Sequence, residues 1–222
     1  MDKKKAVVLL SGGLDSTTTL YFARKEGYKC FCLIFDYGQR HKKEIKSAVK
    51  ISKKLKCKYQ IVKIKLPWSK SALTDKKILV PINRDIKKMK KEIPVTYVPG
   101  RNTIFLSFAI SYAESINADV IFTGANAIDY SGYPDCRPNF YKAFQKIIKL
   151  GTKKGVEGKK IKIITPLIKK SKAEIVKLGK KLKIPFDLTW SCYKGGRKPC
   201  GKCDSCLLRK LGTTPTYFSE QL

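Results

Sequence analysis

The stretch that decides the fold is Ala6-Val7-Val8-Leu9-Leu10-Ser11-Gly12-Gly13-Leu14-Asp15-Ser16, close to the N-terminus. Its apolar run predicts a buried strand, and the glycine turn that follows opens a segment of helical character. Two adjacent glycines let the backbone approach a ligand closely, while serine hydroxyls and helix N-terminal amides can hold an anion. The stretch therefore predicts an anion-binding loop between a strand and a helix.

A carboxylate is unexpected in a loop that binds phosphate. Asp15 must therefore either cap the loop's own amides or hold Mg2+ against the phosphates. Neither the lysine-bearing Walker pattern nor the dinucleotide glycine fingerprint is present. An ordinary glycine turn is the alternative interpretation, and the strand–loop–helix context argues against it.

Strand and helix patterns alternate along most of the chain, which predicts an α/β fold with a doubly wound parallel sheet. Ser171 and Glu174 predict a capping box at the start of one helix. The predicted strands are residues 6–10, 30–35, 59–64, 119–123 and 161–164, and the predicted helices lie near residues 16–26, 42–56, 102–117, 138–150 and 171–183.

The pattern also predicts a domain organisation. Residues 1–185 form one α/β domain, in which the proline- and lysine-rich segment 66–100 is long enough to be a mobile insertion or a lid. Residues 186–222 form a cysteine- and glycine-rich tail that we expect to pack on this domain.

Polar clusters follow the predicted strands at the edge where a parallel sheet binds its ligands. In the loop of residues 124–138, two aspartates offer acceptors to a guanine-like N–H edge, two tyrosines offer stacking faces, and an arginine can pair with a carboxylate. A second arginine, at a predicted helix start, is a candidate to offset phosphate charge. The side chains are Asp129, Asp135, Tyr130, Tyr133, Arg137 and Arg101, with Asp36 after the second strand.

Four of the eight cysteines lie within the tail, at Cys192, Cys200, Cys203 and Cys206. Clustered cysteines in a reducing compartment favour a metal over disulfides, and four thiolates without an open position suit a structural Zn2+. An iron–sulfur cluster is the main alternative, because short cysteine spacings also serve clusters. We interpret the other cysteines as small buried or loop residues.

The net charge is +31, from 48 Lys+Arg against 17 Asp+Glu. Most of the excess lies in two lysine-rich stretches, residues 42–91 and 142–184, outside the motifs described above. A solvated helix face is the simpler explanation, and an RNA-binding surface is the alternative. The longest apolar run near the N-terminus is too short for a membrane span or a signal peptide, so we expect a cytoplasmic protein.

The first loop resembles the pyrophosphate-binding loop of the ATP pyrophosphatase superfamily. Members of that superfamily activate a carboxylate or a base oxygen as an adenylate, with Mg2+ and release of pyrophosphate. The resemblance implies an adenine-nucleotide alpha-hydrolase-like fold and the use of ATP. It also implies nucleotide contacts from one set of residues: Leu10, Ser11, Gly12, Gly13, Leu14, Asp15, Ser16, Thr17 and Asp36.

Over nearly the whole length, the chain resembles the 7-cyano-7-deazaguanine synthases of queuosine and archaeosine precursor biosynthesis. The loop of residues 124–138 and the cysteine tail carry this resemblance most specifically, and Lys169-Lys170 depart from the acidic or neutral pair that many members have. It implies conversion of 7-carboxy-7-deazaguanine, ammonia and ATP into the nitrile, with Asp15, Arg101 and Lys172 as catalytic candidates. It also implies a homodimer, a zinc tail and no obligatory nucleic acid. Because 222 residues leave no room for a glutaminase domain, we expect free ammonia as the nitrogen source.

Two alternatives remain open on the sequence. A tRNA-thiolating relative would need a reactive cysteine pair outside the zinc site, and Cys30 and Cys32 instead lie inside a predicted strand. A basic RNA-binding zinc module without catalysis would leave the glycine loop and the aspartates of residues 124–138 unexplained.

Overall fold

A computed structural model describes residues 3–89, 92–127 and 132–213 of the chain. Its centre is a parallel sheet of five strands in the order β3-β2-β1-β4-β5. The strands are β1 (Lys5–Leu9), β2 (Lys29–Asp36), β3 (Lys58–Lys63), β4 (Val120–Phe122) and β5 (Lys162–Ile164). All five predicted strands and the doubly wound parallel sheet are therefore confirmed.

Helices connect the strands and continue into the tail. They are α1 (Leu14–Lys25), α2 (Lys43–Lys54), α3 (Ile86–Met89), α4 (Arg101–Ser115), α5 (Pro138–Gly151), α6 (Lys153–Val156), α7 (Lys172–Lys181) and α8 (Asp204–Thr213), with 3-10 turns at Pro134–Cys136 and Phe186–Leu188. None of the described helices is both long and apolar enough to cross a membrane.

The two faces of the sheet bury separate hydrophobic clusters. Val7 and Ile121 face a cluster that includes residues of α4 and α5, whereas Ala6, Val8 and Phe122 face a cluster that includes residues of α1 and α2. Successive side chains of a strand point to opposite faces, so continuous apolar runs are required where helices cover both faces. This is why residues 6–9 of β1 and all three residues of β4 are apolar.

The switch in strand order lies between β1 and β4. From β1 the chain moves outward through β2 and β3, and β4 then pairs on the other side of β1. The loops that leave two such neighbouring strands diverge and open a crevice at the carboxyl edge of the sheet. The glycine loop after β1 and the segment that begins at Thr123 after β4 lie at this crevice.

Helix α7 begins with the predicted capping box. Ser171 Oγ accepts the Glu174 amide N–H at 3.3 Å, and Glu174 Oε2 accepts the Ser171 amide N–H at 2.7 Å. The box fixes the first turn of α7, and with it the position of Lys172.

The tail includes a helix that the sequence pattern did not predict, α8. It packs against α7 so closely that a Cβ atom on Gly212 would lie 2.6 Å from Lys172 Cγ. The described parts of residues 66–100 also contact the tail, because Ile82 pairs with Cys203 and Arg84 Nη1 lies 2.9 Å from Asp204 Oδ2. The C-terminal segment therefore contacts both α7 and the insertion.

Candidate active site

The glycine loop takes a conformation that only glycine allows. Gly12 has φ +81°, and a Cβ atom there would lie 2.4 Å from the carbonyl oxygen of Glu44. Gly12 O also accepts the amide N–H of Trp190 at 2.9 Å. The loop is therefore held between the first turn of α2 and the tail, which explains the need for glycine at this position.

Serine hydroxyls close the loop on itself. Ser16 Oγ lies 3.0 Å from Ser11 Oγ, and the Ser11 amide donates to Ser16 Oγ at 3.2 Å. Gly13 precedes α1 without a side-chain cap. A helix N-terminus that is not capped by a side chain leaves amides for an anion, so the geometry matches the predicted anion loop.

Asp15 forms an ion pair with Lys172, the first residue of α7. Lys172 Nζ donates to both carboxylate oxygens, at 2.9 and 2.8 Å. Both side chains are largely buried, with 19% and 7% exposed. Among the described residues, the side chain of Lys172 and not a loop amide donates to Asp15. Its carboxylate instead fixes the ammonium of Lys172 beside the loop.

Arg101 lies between aromatic rings at the start of α4. Its Nη1 donates to the Tyr37 hydroxyl at 3.4 Å, and its Nε is buried without a hydrogen-bond partner in the described part of the chain. Burial alone would lower the pKa of Arg101, but the hydroxyls of Tyr37 and Tyr133 and the carboxylate of Asp135 raise it. Arg101 is therefore a permanent cation with an unused donor, as an anionic ligand requires.

These side chains line a cavity of about 260 Å³ at the carboxyl edge of the sheet. The three predicted catalytic residues, Asp15, Arg101 and Lys172, all lie in its wall, and so does Tyr133. Of the predicted nucleotide-binding residues, the wall includes Leu10, Ser11, Gly13, Leu14 and Ser16. The structure thus brings together residues from four separate parts of the sequence.

Several predicted site residues lie elsewhere. Thr17 is buried behind the loop, where its hydroxyl donates to Gly13 O at 2.7 Å, and Gly12 is enclosed by its neighbours. Asp36 forms an ion pair with Lys42 outside the cavity wall. Asp129 and Tyr130 lie outside the described residues.

Asp135 and Arg137 do not line the cavity either. Asp135 is buried, and its Oδ2 accepts the Asn102 amide N–H at 3.2 Å, which caps the start of α4. Burial raises the pKa of Asp135, and Arg101 opposes this effect. Arg137 is exposed at the residue before α5. Their assignment to substrate binding stays a prediction.

The four tail cysteines converge on one point. All four Sγ atoms lie within 4.8 Å of one another. Zn–S bonds of about 2.3 Å in a tetrahedron place sulfur atoms about 3.8 Å apart. The amides of Cys200 and Cys203 donate to the Sγ atoms of Cys192 and Cys200, at 3.3 and 3.4 Å. The four thiols therefore fit a metal ion such as Zn2+.

The sequence from residue 5 to residue 216 matches the family described as Queuosine biosynthesis protein QueC. The chain belongs to the QueC family. This membership agrees with the resemblance seen in the glycine loop, in residues 124–138 and in the cysteine tail.

Relatives of this QueC family member cover nearly all of it. A 7-cyano-7-deazaguanine synthase from Acetivibrio thermocellus is 59% identical over 94% of this chain and 92% of its own length. One from Thermoplasma volcanium is 56% identical over 99% of this chain and 90% of its own length. Among solved structures, an NMN synthetase from Francisella tularensis has a TM-score of 0.50 at 17% identity, covering 90% of this chain and 71% of its own, which supports the fold alone.

Sequence reasoning missed the tail's contribution to the cavity of this QueC family member. Five tail side chains line the cavity beside the loop: Trp190, Ser191, Tyr193, Ser205 and Arg209. None of them lies in a phosphate-binding pattern, and they reach the cavity only because the tail folds back onto Gly12. Their one signal in the sequence was that each lies within three residues of one of the four cysteines.

Glu44 was also missed. It occupies the first turn of α2 and lines the cavity, although its sequence neighbours are mostly lysines typical of a solvated helix. A single glutamate among lysines forms no motif with its neighbours, so the sequence pattern does not mark it as a site residue.

Proposed function

We propose that this QueC family member is an ATP-dependent 7-cyano-7-deazaguanine synthase. It converts 7-carboxy-7-deazaguanine and ammonia into the 7-nitrile through an adenylated carboxylate and an amide. The observation that carries the proposal is the Asp15–Lys172 pair beside the uncapped N-terminus of α1, with the unused donor of Arg101 in the same cavity. This family's relatives are named as synthases of that product.

The proposed first half-reaction activates the carboxylate. The substrate carboxylate attacks the α-phosphorus of ATP and pyrophosphate leaves. The loop of residues 11–16 then holds phosphate oxygens through its amides and hydroxyls. Lys172, oriented by Asp15, offsets the charge that develops at the phosphorus, and Mg2+ supplies further positive charge, with Asp15 as its candidate oxygen ligand. This catalysis is positioning and electrostatics, without a covalent protein nucleophile.

The second half-reaction forms the carbon–nitrogen bonds. Ammonia attacks the acyl carbon and AMP leaves, which gives the amide. A second ATP activates the amide oxygen, and loss of AMP and of the nitrogen-bound protons gives the nitrile. Arg101 is the candidate group to hold the substrate carboxylate or a phosphate, because its charge is fixed and its Nε is unused.

A sulfur-transfer reaction is the alternative enzyme activity, and the cavity disfavours it. Cys136 is the one cysteine in the described cavity wall. Burial raises its pKa to about 12, so its thiol is a poor nucleophile at neutral pH. Cys30 and Cys32 are buried in β2.

The remaining assignments complete the proposal. Residues 1–185 form the ATP-binding domain with residues 66–100 as a lid, and residues 186–222 form the zinc-binding tail. The four cysteines hold one structural Zn2+, which closes the tail and takes no part in the reaction. The protein works in the cytoplasm as a homodimer with a free base as its substrate, and nucleic acid is not required.

The test is mass-spectrometric detection of the nitrile from purified protein with defined substrates. Nitrile is expected only when 7-carboxy-7-deazaguanine, ammonium and MgATP are all present, and AMP and pyrophosphate should accumulate with it. ATP consumption that responds to tRNA but not to the deazaguanine would overturn the proposal. Metal analysis should find one zinc per chain, and an iron–sulfur absorbance band would contradict the zinc assignment.

A further inference from the structure

Glu44 lies in the cavity wall between the glycine loop and Arg101. Its carbonyl oxygen lies close to Gly12, and Glu44 lines the cavity together with residues of the loop. Tyr37 and Arg101 complete this part of the wall. Glu44 is therefore close to the groups that would hold the activated substrate.

Two carboxylates line the described cavity, and they are held differently. Asp15 accepts two hydrogen bonds from Lys172. In contrast, none of the ion pairs among the described residues includes Glu44. Glu44 is thus the carboxylate of the described wall that no ion pair holds.

The basic neighbours of Glu44 point away from it. Lys42 forms an ion pair with Asp36, and Lys43 Nζ lies 4.3 Å from the ring centre of Trp190, where it donates to the carbonyl oxygens of Gly196 and Arg197. Burial raises the pKa of Glu44 to about 7, although the charge of Arg101 opposes this. The titratable groups that face Glu44 are accordingly Arg101 and Tyr37. A carboxyl group with a pKa of about 7 can accept and release a proton near neutral pH.

The proposed reaction needs such a group. At neutral pH most ammonia is present as ammonium, which has no lone pair with which to attack the acyl adenylate. We propose that Glu44 is a further catalytic residue, the base that accepts a proton from ammonium in the cavity. The ammonia released attacks the acyl carbon, the bond to AMP breaks, and the nitrogen loses its excess proton to solvent to give the amide. Glu44 then passes the proton that it took from ammonium to solvent. This inference rests on the proposed function.

Hydroxylamine separates the proton transfer from all other steps. It is mostly unprotonated at neutral pH, so it attacks the acyl adenylate without help from a base and gives a hydroxamic acid. For Glu44→Gln we expect ammonium-dependent amide and nitrile formation to fall by about 100-fold or more. Hydroxamate formation in the same preparation should fall by less than about 3-fold.

The hydroxylamine reaction also shows whether the variant is folded and able to form the adenylate. A parallel loss of both reactions would overturn the proposal, because Glu44 would then serve the fold or nucleotide binding. An unchanged ammonium reaction would overturn it as well. Glu157→Gln, an exposed glutamate paired with Lys153 and Lys159, is the matched control and should leave both rates unchanged. Failure of the wild-type protein to form nitrile would instead contradict the proposed function.

Discussion

Two parts of the cavity wall are built by different means. The sheet wall, residues 11, 13–16 and 123–126, comes from the loops that follow β1 and β4, two hydrogen-bonded neighbours at the centre of the sheet. The tail wall comes from the segment in which four cysteine thiols converge on one point. Its side chains are Trp190, Ser191, Tyr193, Ser205 and Arg209. The sheet wall is therefore fixed by the core, whereas the tail wall depends on the cysteine cluster and on the packing of α8 against α7.

The sheet wall is also the more tightly packed of the two at the loop. A Cβ atom on Gly124 would lie 2.9 Å from the Ser16 amide nitrogen, so the loops after β4 and β1 are in direct contact. The tail wall meets this loop through the Trp190–Gly12 hydrogen bond. We expect changes in the sheet wall to alter the chemistry first, and changes in the tail to alter stability first.

The largest expected effect comes from Asp15→Asn in the sheet wall. The neutral amide leaves the ammonium of Lys172 without its ion pair and weakens the charge balance at the phosphorus. Turnover should fall by about 100- to 1,000-fold, measured as nitrile formed under saturating substrates. Asp119→Asn is the matched control, because Asp119 is 45% exposed and lies 3.9 Å from Lys154, outside the cavity wall. Equal rates for Asp15→Asn and wild type would remove the ion pair from the mechanism.

The next effect concerns the tail wall. Removal of the metal by a chelator, or Cys203→Ser at the fully buried ligand position, should lower Tm by roughly 10 °C. The fluorescence of Trp190 should shift to longer wavelength, with Trp68→Phe as background, while far-ultraviolet circular dichroism keeps the signal of the sheet. Cys136→Ser, outside the cluster, provides the comparison. Loss of the sheet signal together with the tail would show that the two walls unfold as one unit.

Gly212→Ala tests whether the tail sets the position of the Lys172 ammonium. The added methyl would approach Lys172 Cγ to 2.6 Å and Val176 Cγ2 to 3.0 Å, so α8 must move relative to α7. We expect turnover to fall by about 10-fold, because small displacements of a charged group at the reacting atoms are costly. Gly151→Ala is the matched control, since a Cβ atom at that position contacts nothing within 4 Å. Identical kinetics for the two variants would contradict a coupling between α8 and the site.

The smallest effect is on stability and involves Glu44 again. Its folded pKa, about 7, lies above the ordinary value of 4.5. Folding therefore favours the protonated form. The destabilisation caused by the ionised carboxylate is complete above pH 7, and it is absent at pH values well below 4.5. Glu44→Gln should thus unfold at higher urea than wild type at pH 8, by about 1–2 kcal/mol, with a smaller difference at pH 5. A difference that is independent of pH would contradict the assigned pKa.

Much of the sheet wall was predictable from the sequence, and little of the tail wall was. The strands are short apolar runs such as Ala-Val-Val-Leu, which the sequence pattern reveals. A glycine loop that directly follows a central strand can adopt few conformations besides a turn into the next helix. The ion pair of Asp15 with Lys172 could not be predicted, because it depends on how α7 packs against α1. Helix α8 was missed because its cysteine and glycine residues obscure the apolar spacing.

Glu44 shows a different limit of sequence reasoning. The lysines of helix α2 were interpreted as a solvated face, and Lys46, Lys50, Lys53 and Lys54 are exposed. The one acidic side chain of its first turn reaches the cavity because Gly12 allows α2 to approach the loop closely. Such a contact is a property of the packed structure, and the composition of the helix gives no sign of it.

The hydrogen bond between Trp190 and Gly12 has a consequence for biosynthesis. It joins a loop that is translated directly after β1 to a segment that is translated after all five strands. The strands of the sheet wall have all been translated before the tail, and domains generally acquire structure while the rest of the chain is still being made. A nascent chain therefore carries an open, incomplete cavity until the tail has been made, and we expect no turnover before the cysteine cluster has closed.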